Sequence, residues 1–285
     1  ISKGGKVVNC HNMVDYVVKG YTQTLIAHVG GIVADAYQND IVIQDCVNYG
    51  NIEIASDFEF ASTTNNHMMD VGGVVGRINV DTNLENCSSK GSLNIQCRSS
   101  SNQTLYVGGI VGQLAKGTIS GCVAYPAVEA DKATDGTHSA TILFALSDDT
   151  TNNSTNYVGG IVGNVPTGYT IENCTNNADN ICKQPKGYET YCGGVTGHSN
   201  GTVTASHNKG AVSSHSTVTT FLGGLVGYID SKTVVEGSTN AGRIYFVCPS
   251  NTCNMGGLAS QVKSGASVNN CTNSGDVVLA NPANN

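Results

Sequence analysis

A chain of 285 residues with 35 Gly, 31 Asn and only 12% charged residues is long enough for a sizeable core. It is poor in helix formers and rich in Val, Ile and Thr, which fits neither a helical bundle nor an ordinary α/β enzyme and reads as many short strands joined by tight turns. A formal charge of −7 with three Arg (Arg77, Arg98, Arg243) gives no basic stripe for nucleic acid, and no apolar run reaches the roughly 20 residues a membrane helix needs, so neither partner is expected.

The opening residues, Ile1 to Gly5, carry no signal-peptide pattern, so any leader is expected to have been removed or to lie upstream. Along the chain the first element, Val7–Val14, is a weak copy of a V-x-x-C-x-N-x-G signature. A Gly-Gly pair flanked by apolar residues follows at Val29–Ala34, then the signature at Ile43–Gly50, then an alternating stretch, Asn51–Ile54. The same order recurs to the end of the chain. Gly-Gly segments return at Val71–Gly76, Val107–Gly112, Val158–Gly163, Cys192–Gly197, Leu222–Gly227 and Met255–Ser260, with successive spacings of 42, 36, 51, 34, 30 and 33 residues. The second signature returns at Leu84–Gly91, Val203–Gly210, Val235–Gly242 and Val268–Gly275, with weaker copies at Ile119–Pro126 and Ile171–Ala178.

One repeat is thus three short strands and three turns. A single coil cannot bury its apolar face, but stacked coils share a core and satisfy each other's backbone groups. The predicted fold is all-β: one parallel β-helix (β-solenoid) domain over residues 1–285, with about eight coils and three short strands per coil. Long excursions are expected at 55–70 and 127–156, both at the corner between the third strand and the next Gly-Gly segment, which is where a partner surface would concentrate.

Stacking predicts columns. Cys10, Cys46, Cys87, Cys122, Cys174 and Cys271, with Ser206 and Ser238, should form one inward column of small side chains. Asn12, Asn48, Asn176, Asn208, Asn240 and Asn273 should form an amide ladder. The remaining cysteines offer two loop staples, Cys248 with Cys253 and Cys182 with Cys192, and leave Cys97 over; such pairs favour an oxidising compartment. Tyr106, Tyr157, Tyr191 and Phe221 precede four consecutive Gly-Gly segments and form a stripe that either docks sugar rings or a partner, or shields a coil corner.

Asn-x-Ser/Thr sequons lie at Asn86, Asn102, Asn152, Asn153, Asn173, Asn200 and Asn270, no more than so Asn-, Ser- and Thr-rich a chain yields by chance. Three of them, Asn86, Asn173 and Asn270, immediately precede the inward Cys and should point outward.

No cofactor, metal or catalytic residue is expected. The seven His have no ligand spacing, and C-x-x-C and His-Glu-x-x-His motifs are missing. Carboxylate neighbours are few (Asp57 with Glu59, and Asp148 with Asp149). The rival reading is a carbohydrate-active β-helix enzyme, which needs carboxylates gathered on one strand face; a glycan-binding module is a third.

The G-G-[IVL]-V-G core and the N-C-x-N-x-G element resemble the GLUG-type repeats of bacterial surface and adhesin-like proteins and of the non-catalytic region of some immunoglobulin A peptidases. The resemblance covers almost the whole chain. It implies a secreted or cell-surface location and a β-helical spacer or adhesive role; a glycan or cell-surface ligand is a separate expectation. Because residue 7 falls in a second strand and Asp276–Leu279 in a third, head-to-tail self-association is a further expectation.

Overall fold

The computed structural model describes residues 4–22, 26–38, 40–60, 67–98, 103–125, 142–145, 154–184, 189–216, 219–247 and 253–280. These residues form five parallel sheets of seven or eight strands and one small two-stranded pair, Tyr21–Thr22 with Glu59–Phe60, and contain no helix. The sheets belong to one parallel solenoid. Coil 2 (residues 26–54) shows its plan. The first side is a leading half-strand, Ile26–Gly30, and a trailing half-strand, Val33–Ala36; the second side is Val42–Gln44 and Val47–Asn48; the third is Ile52–Ile54. Three strands per coil thus make five sheets because two of the three bend in the middle. The later coils span 67–95, 103–145, 155–184, 189–216, 220–247 and 253–280, and residues 6–18 give coil 1 its second and third sides.

The second side bends at a single residue in the left-handed region. In all eight coils that residue has positive φ: Asn9, Asp45, Asn86, Gly121, Asn173, Ala205, Gly237 and Asn270, with φ from 45° to 61°. Glycine and asparagine tolerate this backbone, which accounts for most of the choices. The next residue is the expected inward column, Cys10 through Cys271. Its members are fully buried from Cys46 to Ser238, while Cys10 and Cys271, in the outermost described coils, are more open. The bend leaves backbone groups to satisfy, and the column does so. The N–H of Cys46 donates to Cys87 Sγ (3.5 Å), that of Cys174 to Ser206 Oγ (3.3 Å) and that of Ser206 to Ser238 Oγ (3.1 Å). Each thiol or hydroxyl in turn donates to the carbonyl two residues back, as Cys174 does to Glu172 (3.2 Å) and Ser206 to Thr204 (2.9 Å). A group that both donates and accepts is required, so Ser replaces Cys without loss.

The first side bends at its glycines, and the bend reaches across the interior to the asparagine ladder. A Cβ on Gly160 would overlap Asn176, and one on Gly224 would overlap Asn240. The ladder itself is continuous where Asn is: Asn12 Nδ2 donates to Asn48 Oδ1 (2.7 Å), Asn176 to Asn208 (2.8 Å), Asn208 to Asn240 (2.7 Å) and Asn240 to Asn273 (2.7 Å). Each amide also closes its own turn, as Asn176 does on the Ala178 carbonyl (2.8 Å). Ser89 and Ala124 interrupt it in coils 3 and 4.

Bend and ladder together pinch the coil at a waist, leaving two cores. One lies between the trailing half-strand and the second side (Val75, Val111, Ile43, Leu84, Ile119). The other lies between the leading half-strand and the third side (Val71, Val107, Ile52, Leu93, Phe144).

The excursions differ from expectation. Ile142–Ala145, inside the stretch 127–156, is the third side of coil 4, paired with Leu93–Ile95 and with Asn180–Gln184, and Ile142 and Phe144 are fully buried. The two longest intervals therefore leave from different corners: 125–141 between the second and third sides, 55–66 after the third. The stretch 55–70 also ends early, because His67–Gly72 is already the leading half-strand of coil 3. The uninterrupted apolar run Ile142-Leu143-Phe144-Ala145, whose burial alternates, decides the first case; the long interval before it hid the strand.

Candidate functional site

Because the first side folds inward, outward-pointing side chains on its two halves converge in a cleft that runs along the rod. At its base the halves nearly touch: a Cβ on Gly76 would lie 2.8 Å from Val29 N. The leading half contributes His28, Asp70, Tyr106, Tyr157, Tyr191, Phe221 and Asn254 in register. Opposite them stand Asp35, Arg77, Gln113, Asn164, His198, Tyr228 and Gln261.

The four expected aromatics are therefore brought together. Tyr106 and Tyr157 stack at 4.9 Å, Tyr157 and Tyr191 at 5.3 Å, and Tyr191 and Phe221 at 4.8 Å, all within 14° of parallel. Both faces of Tyr157 and of Tyr191 are taken by their neighbours. Tyr228 stands edge-on against Tyr191 (5.2 Å) and Phe221 (5.4 Å), and His198 lies between Tyr157 and Tyr228. The inner rings of the stripe thus present edges and hydroxyls, not the free face on which a sugar ring stacks. Burial pushes the Tyr106 phenol up to about 12 and raises those of Tyr157 and Tyr191, so all three stay protonated donors. Burial also lowers the His198 pKa, against the pull of Asp230; its Nδ1 lies 2.7 Å from Asn164 Oδ1.

The other end of the cleft is polar. Asp70 is fully buried, with His28 Nδ1 2.7 Å from its Oδ2, a hydrogen bond when that nitrogen carries the proton. Burial raises the Asp70 pKa; His28 and Arg77 oppose the rise and Asp35 adds to it. Nearby buried atoms, Asp35 Oδ1, Arg77 Nε and Gln113 Oε1, have no hydrogen-bond partner. The opposing column was missed from sequence, although it stands seven residues after the stripe in every coil (Tyr106 to Gln113, Tyr191 to His198).

Of the sequon asparagines, Asn86, Asn173 and Asn270 are exposed at the left-handed bend, Asn200 is half-buried, and Asn102, Asn152 and Asn153 lie outside the described residues. In the first three, Asn answers to the bend and Cys to the column, with Ser or Thr on the next outward position. Cys182 and Cys192 are fully buried free thiols with their sulfurs 2.7 Å apart. Cys253 is disulfide-bonded, and Cys248 lies outside the described residues. Cys97 is a fully buried free thiol, pushed up to about 12 by burial. The four described cysteines outside the column all lie on or between a third side and the next leading half-strand.

Among the described residues no three His, Cys, Asp or Glu side chains gather as metal ligands, and no helix is long and apolar enough to cross a membrane. Asp57 is exposed beside half-buried Glu59, whereas Asp148 and Asp149 lie outside the described residues. No protein-family profile, curated protein or solved structure matches the chain.

Proposed function

We propose that this protein is a non-catalytic structural or adhesive β-solenoid of the cell exterior, a stiff rod that holds an outer surface at a distance. The observation that carries this reading is the interlock of the glycine bend with the asparagine ladder, as at Gly160 and Asn176. It commits the most regular residues of the repeat to building the rod and leaves the outer faces free to vary. Disulfide-bonded Cys253 favours an oxidising compartment. The resemblance to GLUG-type surface repeats points the same way.

The test has two arms. Antibodies against the folded rod should label intact, non-permeabilised cells of the source; labelling that requires permeabilisation refutes the location. The purified protein should leave a panel of neutral and acidic polysaccharides uncleaved, and release of reducing or unsaturated ends refutes the non-catalytic reading.

A further inference from the structure

The left-handed bend of the second side sorts the asparagines of this chain. Ladder asparagines of the inner coils are buried and use their amide hydrogens inside the rod, as Asn176 does on the Ala178 carbonyl (2.8 Å) and on Asn208 Oδ1 (2.8 Å). Asn86, Asn173 and Asn270 stand exposed at the bend, each at the head of an Asn-Cys-Ser/Thr sequon. Asn200, the other sequon asparagine among the described residues, is half-buried with its Oδ1 enclosed. The number of sequons carries no weight; their placement does.

Bend and column account for the first two residues of each bend sequon. The column satisfies the backbone there: the thiols of Cys87, Cys174 and Cys271 donate to the carbonyls two residues back, at 3.3, 3.2 and 3.2 Å. The outward hydroxyl one position further is required by neither. Val47 and Val123 stand there in coils 2 and 4, and the bend before them keeps its form, at φ 54° for Asp45 and 61° for Gly121. Yet a hydroxyl follows three of the four bend asparagines (Ser88, Thr175 and Thr272, against His11). It follows one of the four other bend residues (Thr239, against Val47, Val123 and His207). The hydroxyl thus accompanies an asparagine that it does not support.

Room along the bend follows the same division. Gly121 lies between Asn86 and Asn173, and Ala205 and Gly237 lie between Asn173 and Asn270. The sequons are therefore two and three coils apart, about 10 and 14 Å at a strand spacing of about 4.8 Å. We propose that Asn86, Asn173 and Asn270 carry N-linked oligosaccharides, a row of sugars along the outer bend of the second side. In the transfer, the asparagine Nδ2 bonds to the anomeric carbon of an oligosaccharide carried on a lipid pyrophosphate. The bond from that carbon to the phosphate oxygen breaks, and the lipid pyrophosphate leaves with the electron pair and takes up the amide proton. The outward hydroxyl completes the sequon that the transferring enzyme reads. The proposal rests on the exterior half of the reading above, since such transfer acts on chains leaving the cytosol.

Mass spectrometry of protein taken from its source tests it, after digestion and peptide-N-glycosidase treatment in heavy-oxygen water. Each glycosylated asparagine is then released as a heavy-oxygen aspartate. The label should appear at Asn86, Asn173 and Asn270 and not at Asn200. Expressed in the source, Ser88→Ala, Thr175→Ala and Thr272→Ala should each carry one glycan fewer than wild type. Made in a host without N-glycosylation, the same variants should unfold at the wild-type urea midpoint, because the bend keeps its asparagine. A purely structural hydroxyl would instead lower the midpoint and leave the glycans in place. Label at fewer than two of the three sites, or at Asn200 in their stead, overturns the proposal, as does a full glycan complement in all three variants. Surface labelling with unmodified asparagines removes this proposal alone. Modified asparagines without surface labelling remove only the cell-surface placement.

Discussion

A Cβ on Gly194 would overlap the side chain of Asn208, fourteen residues later on another side of the same coil. The two sequence signatures are thus the two halves of one contact, with the asparagine occupying the space that the glycine vacates.

Gly194→Ala should therefore destabilise the rod by about 3 kcal/mol or more, because the new methyl also overlaps the Gly224 carbonyl, which is backbone and cannot move aside. Asn208→Ala should cost less, about 2 kcal/mol, by orphaning its partners at Gly210 and Asn240. Ala124 already occupies this ladder position in coil 4. The double variant should not recover Gly194→Ala. Urea unfolding followed by circular dichroism checks the order, and a neutral Gly194→Ala would contradict the interlock.

Ala205 is the one bend residue that is neither Gly, Asn nor Asp, held at φ +45°. Ala205→Gly or Ala205→Asn should stabilise the protein by about 1 kcal/mol. Repeat arrays unfold in parts, so amide exchange in coils 6 and 7 is the sharper readout. Unchanged or faster exchange there would count against strain at this bend.

Asp70 gives a pH dependence of defined sign. Its folded pKa lies above the ordinary 3.8 because burial disfavours the charge. Between those two values the folded state binds the proton more tightly than the unfolded one, so this contribution falls as pH rises and is fully lost above the folded pKa. Asp70→Asn should therefore be more stable than wild type above that window, with the advantage vanishing as pH drops towards 3.8. His28, Asp35 and Arg77 face the same spot, and the wild-type-minus-variant difference in urea midpoint against pH separates Asp70 from the other carboxylates. A variant advantage that grows on acidification would show the sign to be wrong.

Cys182 and Cys192 should oxidise to a disulfide under a glutathione redox buffer, transferring two electrons and two protons to glutathione disulfide. The bridge would close a loop of residues ten apart and add about 2–3 kcal/mol. Intact mass and peptide mapping after unfolding in alkylating agent check this; two alkylated cysteines after full oxidation would sink it.

Much of the fold was legible because repetition amplifies weak signals. Seven Gly-Gly segments and six column cysteines fix register without any knowledge of the bends. The inward fold of the first side was not legible, since glycine permits a bend without specifying its direction. The opposing column of the cleft was missed for that reason: only the bend turns Gln113 and His198 towards Tyr106 and Tyr191. Ile142–Ala145 was lost to the long interval before it.

The waist also sets the grammar of length change. Each glycine bend meets the ladder residue of its own coil, asparagine except at Ser89 and Ala124, and from Gly31 to Gly224 a carbonyl on the next coil, so trimming a few residues from a half-strand would misplace both partners at once. Removing residues 160–193, from one bend to the equivalent point of the next, would instead join Gly159 to Gly194 and leave every register intact. Such rods grow and shrink in whole coils of about 4.8 Å, and gain new surface only where the chain turns between sides.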